Sequence, residues 1–168
     1  MWAAIVMVGV AGAGCASDPS EGYSFTSTYR DDIRTVAVPI FENNTFEYGL
    51  ELDLTEAIIK EIHRSTPWKV TSREMAETTL TGAITDADLR KLSTQRRSGL
   101  VQELAVDLAV RFEWREVRSG QVLAARRNFR AAEPFVPSLG AKEQLEAGQR
   151  SAVDQLAKDL VAELRSSW

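Results

Sequence analysis

One cysteine and one histidine, Cys15 and His63, are the only residues of their kinds in this 168-residue sequence. That count excludes an internal disulfide and a zinc site built from several Cys and His ligands, and it argues against a Cys–His catalytic pair built from a distant histidine. His63 falls at the end of a helical pattern, where a solvated or dipole-stabilised imidazole is the ordinary role, and no metal site is expected. Asp86 and Asp88 lie two apart in a strand-like stretch and so share a face. Paired carboxylates can do acid–base chemistry; a wet strand face explains the same spacing more simply. No GxSxG elbow, phosphate-cradling glycine loop or dinucleotide fingerprint is present, so neither an enzyme nor a cofactor is expected.

The remaining chemistry is basic. Arg90, Lys91, Arg96 and Arg97 place four cations within eight residues of a chain whose net charge is -4. The acidic total argues against a nucleic-acid partner, so the cluster is a local feature. It reads either as solvated loop charge or as an anion-binding loop, since guanidinium matches phosphate oxygens in bidentate geometry. Leu89, Leu92 and Leu100 beside it would suit an amphiphile with a phosphorylated head, and Arg126, Arg127 and Arg130 could extend the positive surface.

Cys15 is placed by what precedes it. Residues 1–14 carry no charge, and the apolar run from Trp2 to Ala13 is too short to span a bilayer but matches the core of a secretory signal. Gly12, Ala13 and Gly14 then lead into the cysteine, resembling a bacterial lipobox, although Gly12 replaces the usual large aliphatic residue and no basic residue precedes the apolar run. Cleavage before Cys15 would free its amino group and thiol for acylation. Each buried methylene contributes about 0.8 kcal/mol and two or more chains give stable attachment, so an acylated Cys15 would hold the protein on a membrane. The expected organisation is a signal peptide over residues 1–14, a polar tether over 15–29 and one folded domain over 30–168.

The elements of that domain follow from periodicity. Val36, Val38 and Ile40 alternate in a strand ending near Pro39. A turn-rich loop, Phe41 to Phe46, offers Asn44 or Thr45 as a helix cap. Leu50, Leu54, Ile58 and Ile62 recur every four residues and predict an amphipathic helix from Glu47 to His63. A short strand at Trp68–Val70, a turn over Arg73–Thr78 and a strand through Leu80, Gly82 and Ile84 come next, with the basic residues in the following connection. Leu104, Val106, Leu108, Val110, Phe112 and Trp114 then alternate with polar side chains in a long half-buried strand. A turn at Arg118–Gly120 returns the chain as a hairpin through Leu123, Ala125 and Phe129. Ala152, Leu156, Leu160 and Leu164 stripe a long final helix from Ala141 to Leu164. Two helices covering a half-buried sheet give an α+β fold, a two-layer sandwich with a mixed, largely antiparallel β-sheet.

In their order, several segments resemble the LPS-assembly lipoprotein family, LptE. They are Cys15 with Gly22-Tyr23, Thr35 to Asn43 (TVAVPIFEN), Gly49 to Ala57 (GLELDLTEA), Leu80 to Ile84 (LTGAI), Gly120 to Leu123 (GQVL), Leu156-Ala157 and Trp168. The resemblance implies a lipid-anchored protein on the periplasmic face of the outer membrane. It also implies an LptD-type β-barrel as partner, which the protein helps to assemble and plugs, and lipopolysaccharide as a ligand bound in transit. Basic residues between strands contribute to that binding in the family, and here Arg90, Lys91, Arg96 and Arg97 are the matching candidates. A general periplasmic binding or scaffold lipoprotein, and a small hydrolase using Asp86 and Asp88, are the competing readings.

Overall fold

The structure, a computed structural model, describes residues 33–94, 101–135 and 141–166. Cys15, Arg96, Arg97, Leu100, the leader, the tether and Trp168 lie outside the described residues.

The described elements are β1 (Thr35–Ala37), β2 (Glu42–Asn43), α1 (Leu50–Ser65), β3 (Lys69–Val70), β4 (Thr78–Thr94), β5 (Val101–Glu116), β6 (Val122–Phe135) and α2 (Ala141–Ser166). The strands form one sheet in the order β3-β1-β4-β5-β6, with β2 also pairing β4. The pairings of β1, β2 and β3 are parallel, whereas β4–β5 and β5–β6 are antiparallel. This is the mixed α+β sandwich expected from the sequence.

The helices bury the stripes that their spacing predicts. Leu50, Leu54, Ile58 and Ile62 of α1 are buried, as are Ala152, Leu156, Leu160 and Leu164 of α2. Helix α1 starts three residues later than expected, and neither Asn44 nor Thr45 caps it. The N-cap position is Gly49, whose φ of 89° lies in the left-handed region that favours glycine. Asn43 organises the preceding loop instead. Its Oδ1 accepts hydrogen bonds from the Thr45 amide (2.9 Å) and hydroxyl (2.7 Å), and its Nδ2 donates to the Glu47 carbonyl and the Glu51 carboxylate (both 2.7 Å). The backbone N–H of Glu51 itself, and after it the bond from Asn43, lowers the pKa of that carboxyl, which sits in the helix's first turn.

The base of the sheet is clamped across sequence. Trp68 packs against Trp114 with ring centroids 5.1 Å apart and the rings tilted by 39°, and both side chains are buried. The Glu77 carboxylate accepts from the backbone N–H groups of Arg34 (2.7 Å) and Thr35 (3.2 Å), while the Glu77 amide donates to the Thr35 hydroxyl (2.9 Å). Strand β1 is shorter than its apolar run because Pro39 has no N–H to give a ladder.

Strand β4 is the main departure from the sequence reading. It runs 17 residues, roughly 50 Å, and takes in Arg90 and Lys91, which the periodicity had placed in a connection. The cause is a β-bulge at Thr85. Ile84 pairs with Val110 but Asp86 pairs with Ala109, so Thr85 is the extra residue. Before it, Leu80, Gly82 and Ile84 share the face of Trp114, Phe112 and Val110. After it, Ala87, Leu89 and Lys91 continue that face, opposite Leu108, Val106 and Leu104. A second irregularity moves β6 in the same way, since Phe129 pairs Val110 while Arg126 pairs Phe112. Ala124 is therefore the buried residue at the start of β6, and Ala125, expected to face inward, is exposed.

Candidate functional site

Consecutive strand residues point to opposite faces, so the basic segment does not converge as its sequence suggests. Arg90 lies on the outer face, away from the helices, with its guanidinium 3.7 Å from the Asp107 carboxylate. Lys91 takes the helix-side face, opposite Leu104. Both are exposed, and Leu89 and Leu92 beside them are 51% and 45% accessible. Arg96 and Arg97 belong to the segment joining Thr94 of β4 to Val101 of β5, outside the described residues.

What the structure does bring together is a chain of charges across three strands. Arg130 on β6 lies 3.3 Å from Asp86 on β4 and 3.6 Å from Asp107 on β5, and Asp107 is shared with Arg90. Asp107, the hub, passes in the sequence for one more polar residue on the wet face of β5. Its register opposite Asp88 is what places it between Arg90 and Arg130. The carboxylate proposed for acid–base chemistry, Asp86, is thus bonded to an arginine, and Asp88 is exposed. The third carboxylate beside them, Asp107, is itself held by Arg90 and Arg130. His63 is exposed in the last turn of α1.

Arg126 and Arg130 do not share a face, because the irregularity in β6 lies between them. Arg126 reaches Glu163 of α2, whereas Arg130 joins the outer network. Below the outer charges the floor is alanine. Ala83, Ala105 and Ala109 are buried although they point away from the helices. Toward the base of the same face, a cleft of about 460 Å³ is lined by Glu42, Thr81, Arg111, Glu113 and Arg127, and Arg111 bonds Glu42 at 3.1 Å. The outer face is polar along its length, with its charges largely compensated in pairs. At the distal end Arg90, whose contact to Asp107 is the long one at 3.7 Å, lies beside exposed Leu89 and Leu92, with Lys91 on the opposite face.

No helix among the described residues is long and apolar enough to cross a membrane. Comparison with curated proteins gives no match. Solved structures share the fold at low identity. A hypothetical protein from Chlamydia trachomatis superposes with a TM-score of 0.58 at 11% identity, covering 80% of this chain and 97% of that one. The rare lipoprotein B from Shewanella oneidensis gives 0.55 at 13% identity, covering 79% and 95%. An uncharacterised lipoprotein B from Nitrosomonas europaea gives 0.50 at 20% identity, covering 80% and 81%. The family model described as LptE, lipopolysaccharide-assembly, matches residues 33–164, from the residue that enters β1 to the last turn of α2. With that match spanning the whole folded domain, the chain belongs to the LptE family of lipopolysaccharide-assembly proteins.

Proposed function

We propose that this protein is a lipoprotein of the outer membrane, anchored through Cys15 on the periplasmic face, that assists assembly of an LptD-type β-barrel, plugs it and binds lipopolysaccharide in transit. The observation that carries the reading is the family match over residues 33–164. Other features support it. A plug in a water-lined barrel needs a compact body with a wet surface, and the outer sheet face is polar and pair-compensated. A carrier that passes lipid along needs no reactive group.

The distal hairpin is the proposed ligand-binding end. Arg90, Lys91, Arg96 and Arg97 would meet the phosphorylated head, and Leu89 and Leu92 would meet the apolar part of the same molecule. Reversing charge at Arg96 and Arg97 to glutamate is expected to weaken lipopolysaccharide binding about tenfold or more, the scale of one lost charge-assisted hydrogen bond. Unchanged binding would remove these residues from the site. The tagged full chain is expected to co-purify a large β-barrel from membranes; recovery as a monomer without one would favour a general periplasmic scaffold lipoprotein.

A further inference from the structure

Both β1 and β2 lie on the edge of β4 that faces away from β5, and they pair with it only as far as Ile84. From Thr85 to Thr94 that edge has no strand beside it among the described residues, although β5 continues along the other edge to the end. An open edge of this length is a template for another strand, and proteins usually protect such edges with charge. Here the charge is ordered. Asp86 and Asp88 precede Leu89, and Arg90 and Lys91 follow it.

We propose that this edge pairs with the same edge of a second copy of the chain, antiparallel, with the two-fold axis passing through Leu89. The pattern selects the occupant and the register together. Directly opposed residues of an antiparallel pair share a face, so a two-fold axis perpendicular to the sheet sets some residue opposite itself. Centred on Asp88 or Arg90, the pairing would oppose two like charges. Centred on Leu89, it sets leucine against leucine and Asp88 against Arg90, and symmetry makes that contact twice. The length also fits, since the end of one β4 would reach the place where β2 leaves the other. Asp88 has no ion-pair partner among the described residues and Arg90 has only the 3.7 Å contact to Asp107, so both can engage across the axis. Such a pair covers Leu89 and Arg90, making it a resting form exclusive of ligand at the distal end.

The test uses the unlipidated full chain, Cys15→Ser, in sedimentation velocity over a concentration series. The expected result is a rise toward about twice the monomer mass. Asp88→Arg and Arg90→Asp should each weaken association about tenfold or more, because symmetry doubles each repulsive contact. The exchange Asp88→Arg/Arg90→Asp should restore it. Leu89→Cys should cross-link copy to copy under mild oxidation, because opposed Cα atoms about 4.5–5.5 Å apart suit a disulfide. A mass independent of concentration overturns the proposal. So does association indifferent to the charge exchange, as the apolar leader alone would produce. Cross-linking of Leu89→Cys to a different protein instead would assign the edge to a heterologous strand and overturn self-pairing.

Discussion

At the base of the sheet, from Thr78 to Ile84, β4 has strands on both edges, and its inward side chains Leu80 and Ile84 are buried. Beyond Thr85 the same strand keeps β5 alone, and its inward Leu89 is half exposed. The base holds the tryptophan pair and the Glu77 clamp; the distal half holds Asp86, Asp107, Arg90 and Arg130 in contacts of 3.3–3.7 Å. One half derives its stability from buried apolar surface. The other leaves apolar and basic side chains accessible, which suits a part that meets ligand or another chain. Stability and recognition are thereby separated along a single strand.

That separation makes graded predictions. Trp114→Ala should cost about 3–5 kcal/mol in chemical denaturation, since it empties a fully buried site. The Trp114 indole N–H has no acceptor among the described residues, so the loss is one of packing. A cost below about 1 kcal/mol would mean that the base is not the core. A smaller and pH-dependent loss is expected for Glu77→Gln. The hydrogen bond from the Arg34 amide, followed by that from Thr35 and the nearby positive charges of Arg34 and Arg118, holds the Glu77 carboxyl below its ordinary value. A depressed carboxylate contributes stability above its unfolded-state pKa and loses it as pH falls through the folded value. Wild type should therefore exceed the glutamine variant at neutral pH, with the gap closing on acidification; parallel stability curves would remove the clamp. Smallest of all, Arg130→Ala in the distal network should cost about 0–1 kcal/mol, as half-exposed ion pairs do. A loss as large as that at Trp114 would erase the contrast between the halves.

The sequence announces the base more clearly than the distal half, for physical reasons. A helix stripe repeats without interruption, so Leu50 to Ile62 and Ala152 to Leu164 are legible, and six alternating apolar residues reveal β5. Strand β4 is legible only to Ile84, because the bulge at Thr85 breaks its parity. The short parallel contacts of β1, β2 and β3 depend on long-range pairing that no local pattern encodes. At the candidate site, the basic residues are visible by composition, but their faces are not. Arg90 and Lys91 diverge although adjacent, while Arg90 and Arg130, forty positions apart, share Asp107. Only the register of three strands establishes that relation.

Thr85 acts as a shift of reading frame inside a strand. Upstream, even-numbered positions answer to the core and odd-numbered ones to water; downstream the assignments are exchanged. The bulge absorbs that one residue, so the distal segment keeps Leu89 on the helix side and Asp86, Asp88 and Arg90 on the outer face despite the change of parity. Substitution at position 85 leaves that frame intact. Deleting Thr85 would remove the bulge yet keep those faces, since Asp86 would follow Ile84 in regular alternation; holding residue 85 in the ladder without a bulge is what would turn Asp88 and Arg90 toward the helix side and Leu89 to the outer face.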